Sequence, residues 1–335
     1  MSNQNHIPVL LDGRRRSINY LRLSITDRCD LRCRYCMPAE GVPCLPRDQR
    51  LSDDEIMTLG RVAVGLGIRK IRITGGEPLL HPRVIELLTG LRSLPDLERL
   101  VLTTNGLRLA PLAADLRAAG VEGVNISIDS LRPERYADIT RGGQLARCLE
   151  GIEAALKHGF HTKLNVVVMR GVNDDEVLDF ASLAQNSPLS VRFIEYMPTR
   201  GGDDDFTVPS AQLLERVAAA FDLEARPHDR GGVMAGPARN FKLAGGRGSV
   251  GVISPVSDVF CASCNRIRVS ADGRARGCLF LNDAVDLRPL LEAGDEAALT
   301  AALLEIVARK PERHDLHPDG RRDGDDPLTM SRMGG

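Results

Sequence analysis

The sequence lacks an excess of charge of either sign. Its 44 Lys and Arg residues and 45 Asp and Glu residues leave a formal net charge of -1 over 335 residues. A nearly neutral chain has no overall field that would draw it to nucleic acid or to an anionic membrane surface. Neither class of partner is predicted, and any site for an anion must be local.

Long hydrophobic runs are also absent. No stretch approaches the length of a membrane span, and the first ten residues, MSNQNHIPVL, have no basic segment leading into an apolar one. These absences predict a cytoplasmic protein without membrane contact. The hydrophobic content of 43% is nevertheless ordinary for a chain that builds a core.

Cysteine is scarce, because eight residues in a chain of this length are too few for a disulfide scaffold. Six of them fall into two groups, and in a reducing compartment such groups indicate metal ligands. The first group is Cys29, Cys33 and Cys36, and the second is Cys261, Cys264 and Cys278. Cys44 and Cys148 fit neither group and are predicted to be free thiols without a metal role.

Each group contains three thiols. A [4Fe-4S] cluster bound by three thiolates leaves one iron open to another ligand, and the stretch CDLRCRYC supplies three thiolates from one loop. From the first spacing alone, zinc remains an alternative. Near the second group the sequence offers neither a fourth cysteine nor a histidine for a structural zinc site. A second cluster with an open iron is therefore the favoured interpretation.

Most of the chain alternates between strand-like and helix-like stretches. Short apolar runs rich in Val and Ile are each followed by an amphipathic segment, a pattern typical of parallel strands covered on both faces. The first of these helices has a capping box at Ser52 and Glu55. The six runs are INYLRLSIT, KIRIT, RLVLTT, GVNISID, TKLNVVVM and LSVRFIEY. They predict an α/β fold, an incomplete (β/α)6 TIM-type barrel.

From about residue 240 the rhythm changes. The segments FKL, GSVGVIS and RIRVS predict short antiparallel strands, with a hairpin turn near Gly245. We expect them to form a C-terminal antiparallel β cap that carries the second iron–sulfur site. The predicted divisions are an N-terminal extension (1–13), the barrel (14–235), the cap (236–310) and a flexible tail (311–335) that ends in Gly-Gly.

Polar residues collect where the predicted strands end, for example in TGGEP, TTNG and NISIDS. In a β/α barrel the carboxyl ends of the strands meet at one mouth, where the active site lies. The sequence therefore predicts one site at that mouth.

The cysteine stretch resembles the CxxxCxxC motif of the radical S-adenosylmethionine superfamily, with Tyr35 as its aromatic residue. The segment from Gly75 to Pro78, GGEP, resembles the stretch that binds the methionine amino group in that superfamily. The order of the later motifs resembles one member family, the GTP 3′,8-cyclases. Those motifs are TTNG, NISIDS, NVVVMRGVND, RFIEYMP, the second cysteine group and the terminal Gly334-Gly335.

The resemblance implies two [4Fe-4S] clusters and S-adenosylmethionine as cofactors, with all six grouped cysteines as metal ligands. It implies catalytic roles for Cys29, Cys33, Cys36, Gly334 and Gly335. The implied contacts to S-adenosylmethionine are Tyr35, Gly76, Ser127 and Met197, and those to GTP are Arg22, Arg72, Thr103, Lys163, Arg266 and Arg268.

A triphosphate substrate needs groups that bind its negative charges. The chain has no G-x-x-x-x-G-K-[ST] loop whose backbone amides could bind phosphates, so we expect arginine side chains to do so. Arg47, Arg83 and Arg141 are instead predicted to be solvated surface charges.

The implied reaction begins with reductive cleavage of S-adenosylmethionine at the first cluster. A hydrogen atom is then abstracted from C3′ of GTP, and C3′ bonds to C8 of guanine, as the first step of molybdenum cofactor biosynthesis. The implied partners are an electron donor such as flavodoxin or ferredoxin, a second copy of the chain in a homodimer, and cyclic pyranopterin monophosphate synthase as recipient of the product.

Three alternatives stay open at this point. Another radical enzyme with one auxiliary cluster would commonly carry more C-terminal cysteines. A ferredoxin-like electron carrier would normally saturate its irons with four thiolates. A zinc-stabilised binding module would hold zinc without iron and sulfide.

Overall fold

A computed structural model describes residues 9–197, 206–226, 236–281 and 283–314 of the chain. The catalytic prediction for Gly334 and Gly335 lies outside these residues.

Twelve strands in the described ranges form one sheet. They are β1 (Tyr20–Ser24), β2 (Lys70–Thr74), β3 (Arg99–Thr104), β4 (Gly123–Ser127), β5 (His161–Val168), β6 (Ser190–Glu195), β7 (Leu223–Ala225), β8 (Arg239–Leu243), β9 (Ser249–Ile253), β10 (Arg266–Val269), β11 (Arg274–Arg276) and β12 (Val285–Asp286).

The helices of the described ranges lie between or after these strands. They are α1 (Asp53–Gly65), α2 (Val84–Arg92), α3 (Leu109–Ala118), α4 (Pro133–Thr140), α5 (Leu145–Lys157), α6 (Val177–Asn186), α7 (Ser210–Ala218), α8 (Arg288–Glu292) and α9 (Glu296–Ala308). Short 3-10 turns occur at Arg47–Gln49, Pro78–Leu80, Asp174–Glu176 and Cys261–Ser263.

The strand order across the sheet is β12-β11-β10-β1-β2-β3-β4-β5-β6-β9-β8-β7. The strands from β1 to β6 pair in parallel in chain order, and each is followed by at least one helix. The six predicted β/α units are therefore confirmed. One face of these strands carries fully buried apolar side chains such as Leu21, Ile71 and Val191.

The C-terminal strands differ from the prediction. The expected antiparallel hairpins exist, since β8 pairs with β9 and β10 with β11, and the turn between β8 and β9 contains Gly245 at φ 68°. They do not form a sheet of their own, however. Strand β9 pairs in parallel with β6, and β10 pairs in parallel with β1. The hairpins thus extend the main sheet at both of its edges, because each edge strand leaves backbone groups that need partners.

The sheet is curved. Side chains from β1, β2, β5, β6, β9 and β10 line one cavity, although β10 and β9 are seven strand spacings apart in the sheet. A flat sheet would separate those two strands by about 34 Å, too far for a shared cavity. Curvature brings the inner faces of the edge strands together.

Helices α4, α8 and α9 complete the outer layer and were not part of the predicted pattern. Helix α9 packs against α1 and α8, and Arg61 on α1 forms an ion pair with Glu296 at 2.5 Å. The C-terminal region thus contacts the first helix of the chain.

Within the described ranges, no helix combines the length and the apolar character needed to cross a membrane.

The capping box at the start of α1 is confirmed and gives a stability test. Ser52 Oγ accepts a hydrogen bond from Glu55 N at 3.3 Å, and Glu55 Oε2 accepts one from Ser52 N at 2.6 Å. Ser52→Ala removes the side-chain acceptor, so we expect the free energy of unfolding, measured by urea titration, to fall by about 1 kcal/mol.

Ser182→Ala is the matched control, because Ser182 lies inside α6 and its hydroxyl only donates back to Leu178 O at 2.9 Å. Alanine has the higher helix propensity there, so no loss is expected. Equal losses in both variants would contradict a capping role for Ser52.

Candidate active site

The first cysteine group lies on the loop that follows β1. Cys29, Cys33 and Cys36 are free thiols and partly buried. The backbone N–H groups of Cys36 and Met37 both donate to the carbonyl oxygen of Cys33, at 2.9 and 3.1 Å. This turn directs all three thiols towards one cavity.

The end of α4 holds this loop in place. Arg32 N donates to the carbonyl oxygen of Thr140 at 3.1 Å. Arg141, the residue that ends α4 with φ 54°, donates from Nη1 to the carbonyl oxygen of Met37 at 2.8 Å. The prediction of a solvated surface charge is therefore incomplete for Arg141, because its exposed side chain also fastens the cysteine loop.

The GGEP segment after β2 packs directly on the start of the same loop. Gly76 N donates to Thr26 O and Glu77 N donates to Arg28 O, both at 2.7 Å. A Cβ atom on Gly76 would lie only 2.3 Å from Arg28 O. Glycine is required here because the two backbones approach so closely.

Glu77 links the ends of β2 and β3. Its buried carboxylate accepts hydrogen bonds from Leu79 N at 3.0 Å, Thr104 Oγ1 at 2.8 Å and Asn105 N at 2.7 Å. Burial raises the pKa of Glu77 to about 7, although these hydrogen bonds act in the opposite direction. The carboxylate fixes the loops that form this part of the mouth.

Tyr35 links the cysteine loop to the strands opposite. Its hydroxyl donates to Asp129 Oδ2 at 2.8 Å, and Asp129 Oδ1 accepts from Val167 N at 2.8 Å. Burial raises the pKa of Asp129 to about 6. This pair orients the aromatic ring beside the last cysteine of the group.

The cavity at the first group has a volume of about 1090 Å³ including its open mouth. The residues predicted to contact S-adenosylmethionine all line it, together with the three thiols. Those residues are Tyr35, Gly76, Ser127 and Met197. The structure therefore brings these four residues and the three thiols together, and their contact with S-adenosylmethionine stays a prediction.

The second cysteine group lies beside β10. Cys261 and Cys264 flank a 3-10 turn that leads into β10, and Cys264 N donates to Cys261 O at 3.1 Å. Cys278 follows β11, which runs antiparallel to β10 and so returns the chain to the same place. All three thiols line a second cavity, of about 1150 Å³ including its mouth.

The two groups of thiols differ in their electrostatic surroundings. Burial raises the pKa of Cys29 to about 12 and places that of Cys33 well above its usual value. For Cys264 burial acts in the same direction, but the charges of Arg266 and Lys310 outweigh it and lower the pKa to about 6. Because metals bind thiolates, loading the first group must release protons.

The second cavity is lined by many cations. Neither Asp nor Glu occurs among the described residues that line it. The lysine and arginine residues are Arg22, Lys70, Arg72, Lys163, Arg192, Arg266 and Arg268.

Strand register explains how these cations meet. Arg22 on β1 lies level with Arg72 on β2 and with Arg268 on β10. Residues two apart on a strand share a face, so Lys70 and Arg266 extend the same inner face by one step. The opposite face is apolar and packs in the core.

Burial and the crowding of like charges lower the pKa values of several of these cations. Repulsion from Arg192, followed by burial, lowers the pKa of Lys163 to about 6. Burial lowers the pKa of Lys70 to about 8, and those of Arg22 and Arg192 to about 10. An anionic ligand in the cavity would favour the charged forms.

Tyr20 lies among these cations with its phenol buried. Arg72 Nε donates to its hydroxyl oxygen, and Lys70 Nζ lies 4.6 Å from the ring centre. Burial raises the pKa of Tyr20, but Arg72, Arg22 and Lys70 outweigh that effect and lower it to about 6. The phenol is thus a partial counter-charge inside the cavity.

Five of the six residues predicted to contact the substrate line the second cavity, namely Arg22, Arg72, Lys163, Arg266 and Arg268. Thr103 is the exception, because it lines the first cavity, where Arg72 Nη1 donates to its Oγ1 at 3.2 Å.

Sequence reasoning missed Tyr20, Lys70 and Arg192 in the second cavity. A signal was present, since a charged residue inside the apolar runs KIRIT and VRFIE must face a polar interior.

The two cavities adjoin. Asn165, Ile194 and Met197 line both of them. A ligand in the first cavity and one in the second would therefore meet across these three side chains.

Among the described residues, no three His, Cys, Asp or Glu side chains lie close enough together to hold a single metal ion. The donor chemistry fits iron–sulfur clusters, because each group offers three partly buried thiols. The open side of each group faces a cavity large enough for a ligand.

Comparison with protein families identifies two matches. Residues 23–184 match the model of the Radical SAM superfamily, and residues 189–316 match the model named Molybdenum Cofactor Synthesis C. Together the matches run from the end of β1 through the other parallel strands and both C-terminal hairpins.

Among curated proteins, the chain is 52% identical over 310 residues to GTP 3′,8-cyclase of Geobacter sulfurreducens, covering 92% of this chain and 94% of the relative. It is 47% identical to GTP 3′,8-cyclase of Moorella thermoacetica, covering 97% and 99%. Among solved structures, Streptococcus suis SuiB bound to S-adenosylmethionine matches with a TM-score of 0.58 at 14% identity, covering 96% and 78%. At that identity the likeness to SuiB concerns the fold alone.

The close approach at Gly76 gives a direct test of how the cysteine loop is held. Gly76→Ala places a methyl group against Arg28 O, so the loop must shift. We expect fewer irons per chain after anaerobic reconstitution, and a loss of about 1 to 3 kcal/mol in the free energy of unfolding.

Gly65→Ala is the matched control, because a Cβ atom at Gly65 meets nothing within 4 Å. That variant should bind iron like the wild type. Undiminished iron binding in Gly76→Ala would show that the contact does not position the loop.

Proposed function

The chain belongs to the GTP 3′,8-cyclase family of the radical S-adenosylmethionine superfamily, and we propose that it converts GTP to (8S)-3′,8-cyclo-7,8-dihydroguanosine 5′-triphosphate. This reaction is the first step of molybdenum cofactor biosynthesis. The observation that carries the proposal is the pair of adjoining cavities, each with three thiols, of which the second is lined by cations and no described carboxylate.

In the first cavity, Cys29, Cys33 and Cys36 would hold one [4Fe-4S] cluster, with S-adenosylmethionine on its open iron. When bound there, the cluster would supply the electron for reductive cleavage of S-adenosylmethionine. The protein positions the cofactor: the Gly76 backbone lies at the cavity wall, and the Tyr35–Asp129 pair fixes the aromatic ring beside the last cysteine.

In the second cavity, Cys261, Cys264 and Cys278 would hold the other cluster, and the cations would bind the triphosphate. GTP carries about four negative charges, and hydrogen bonds between guanidinium groups and phosphate are charge-assisted. The lowered pKa of Lys163 supports this assignment, because phosphates would relieve the repulsion from Arg192.

Thr103 lies on the wall of the first cavity and is bonded to Arg72, so we propose that it acts on the substrate through Arg72. The shared wall at Asn165, Ile194 and Met197 supports transfer between the two sites. Holding C3′ of the substrate beside the cofactor makes hydrogen abstraction an effectively unimolecular step.

The curved sheet supports an incomplete (β/α)6 barrel. We propose the division into a barrel (14–235) and a C-terminal region (236–310), whereas the two family matches meet earlier in the chain, between residues 184 and 189. We also propose, from family membership, a cytoplasmic homodimer that takes electrons from flavodoxin or ferredoxin. Its product would pass to cyclic pyranopterin monophosphate synthase. The terminal Gly334 and Gly335 would act in catalysis as the resemblance implies.

Replacement of each cysteine group by serine tests the division of labour. The wild type should bind about eight irons per chain after anaerobic reconstitution. Serine at Cys29, Cys33 and Cys36 should halve the iron and abolish reductive cleavage of S-adenosylmethionine. Serine at Cys261, Cys264 and Cys278 should also halve the iron, but should spare cleavage while cyclisation of GTP is lost.

The measurements are iron per chain, 5′-deoxyadenosine formed and cyclic nucleotide formed. Cleavage that persists without the first group would end the radical enzyme assignment. If GTP were still cyclised without the second group, Cys261, Cys264 and Cys278 would not be needed for the reaction.

Arg268→Ala tests the triphosphate site. The Nη1 atom of Arg268 is buried and has no hydrogen-bond partner among the described residues. We expect GTP binding to weaken by about 1.5 to 3 kcal/mol, because a charge-assisted hydrogen bond is lost. Guanosine, which lacks phosphates, should bind as before.

Arg274→Ala is the control, because Arg274 lies on the neighbouring strand β11, is exposed and pairs with Asp272 at 3.7 Å. Both affinities are measured by equilibrium binding to the reconstituted enzyme. If GTP and guanosine lost affinity equally in Arg268→Ala, the residue would not contact phosphate.

A further inference from the structure

Lys310 is a buried lysine beneath the second cysteine group. It follows α9 and is 6% exposed. Its ammonium group donates to Arg266 O at 2.8 Å and to Gly277 O at 2.6 Å, and lies 3.6 Å from Cys264 Sγ. These three contacts use its three N–H groups.

The charged groups that act most strongly on Lys310 are Cys264, Arg16, Cys278 and Arg266. A buried ammonium is costly unless an anion compensates it. The thiolates of Cys264 and Cys278 are the anions in this set.

Cys264 receives positive charge from two sides. Besides Lys310 Nζ at 3.6 Å, Arg266 Nη2 lies 3.8 Å from Cys264 Sγ. Arg266 also faces the cavity and stacks on Phe260 at 5.0 Å. Lys310 differs from Arg266 because its ammonium group contacts Cys264 Sγ, Arg266 O and Gly277 O in these hydrogen bonds, all of them beside the cysteines.

Packing holds Lys310 in this position. Its neighbours Ile306 and Val307 on α9 are buried in the core. Gly277, next to Cys278, leaves room for the lysine stem, because a Cβ atom there would lie 2.8 Å from Lys310 Cγ. The contact with Cys264 is therefore fixed by the fold rather than by a mobile surface side chain.

We propose that Lys310 is a positioning residue: its ammonium group holds a positive charge next to the sulfur of Cys264 and thereby raises the reduction potential of the cluster held by the second cysteine group. The proposal rests on the second cluster of the proposed function. A nearby cation and a hydrogen bond to a ligand sulfur both stabilise the reduced cluster, which carries one more negative charge. No bond is formed or broken when the cluster takes up one electron from an external reductant, and Lys310 keeps its proton.

The test uses a background chain in which Cys29, Cys33 and Cys36 are serine, so that every iron signal comes from the second group. Lys310→Met removes the charge and the donor, whereas Lys310→Arg keeps a charge. Lys242→Met is the matched control, because it changes the net charge equally and Lys242 is exposed on β8. The midpoint potential is measured by titration with dithionite and followed by electron paramagnetic resonance, with iron per chain measured on the same samples.

We expect Lys310→Met to shift the midpoint potential to more negative values than the background chain. Lys310→Arg should shift it less, and Lys242→Met should leave it unchanged. An unchanged potential in Lys310→Met, with iron bound, would overturn the inference and leave the proposed function intact. A background chain that binds no iron with Lys310 present would overturn both.

Lys310→Gln provides a second neutral variant if Lys310→Met does not retain iron. Glutamine keeps a hydrogen-bond donor but carries no charge, so the potential should again become more negative. A potential equal to that of the background chain in Lys310→Gln would exclude the electrostatic role.

Discussion

The crowding of seven buried or half-buried lysine and arginine side chains on the inner face of one curved sheet is the constraint on which the site depends. No described carboxylate lines that cavity, and repulsion from Arg192, followed by burial, lowers the pKa of Lys163 to about 6. Such an arrangement is unfavourable until an anion enters, because buried like charges repel and have lost their water. The buried phenol of Tyr20 offsets part of the charge. A polyphosphate ligand would supply the remaining negative charge. Relief of the repulsion among the lysine and arginine side chains therefore favours binding of the substrate.

Strand β1 connects the two halves of the site. Its side chains Tyr20 and Arg22 belong to the cation-lined cavity, and the loop that follows it carries the first three thiols. The parallel pairing of β10 with β1 brings the second group of thiols to the same sheet, with Arg22 level with Arg268. The first group of thiols follows β1 and the second lies beside β10, which pairs with β1. Backbone hydrogen bonds between these two strands therefore set the separation of the two groups. A reaction between ligands in two cavities needs this rigidity, since small displacements of reacting atoms are costly in rate.

The second group is also tied to the beginning of the C-terminal tail. Lys310 contacts Cys264, while Arg16 donates to Cys261 O at 2.8 Å and to Pro311 O at 2.7 Å. The chain therefore leaves the last helix at a point held against two of the three cysteines, Cys264 and Cys261.

The sequence by itself determined the local features: the spacing of the thiols, the six β/α units and the capping box at Ser52. These depend on residues close in the chain, where periodicity and side-chain chemistry suffice. Tertiary structure alone decided that β10 lies beside β1, that Thr103 faces the first cavity and that Arg141 fastens the cysteine loop. It also decided that Lys310 reaches Cys264, a contact between residues 46 positions apart. Such contacts follow from how α9 packs and how the sheet curves, and many sequences with the same local pattern would be compatible with other pairings.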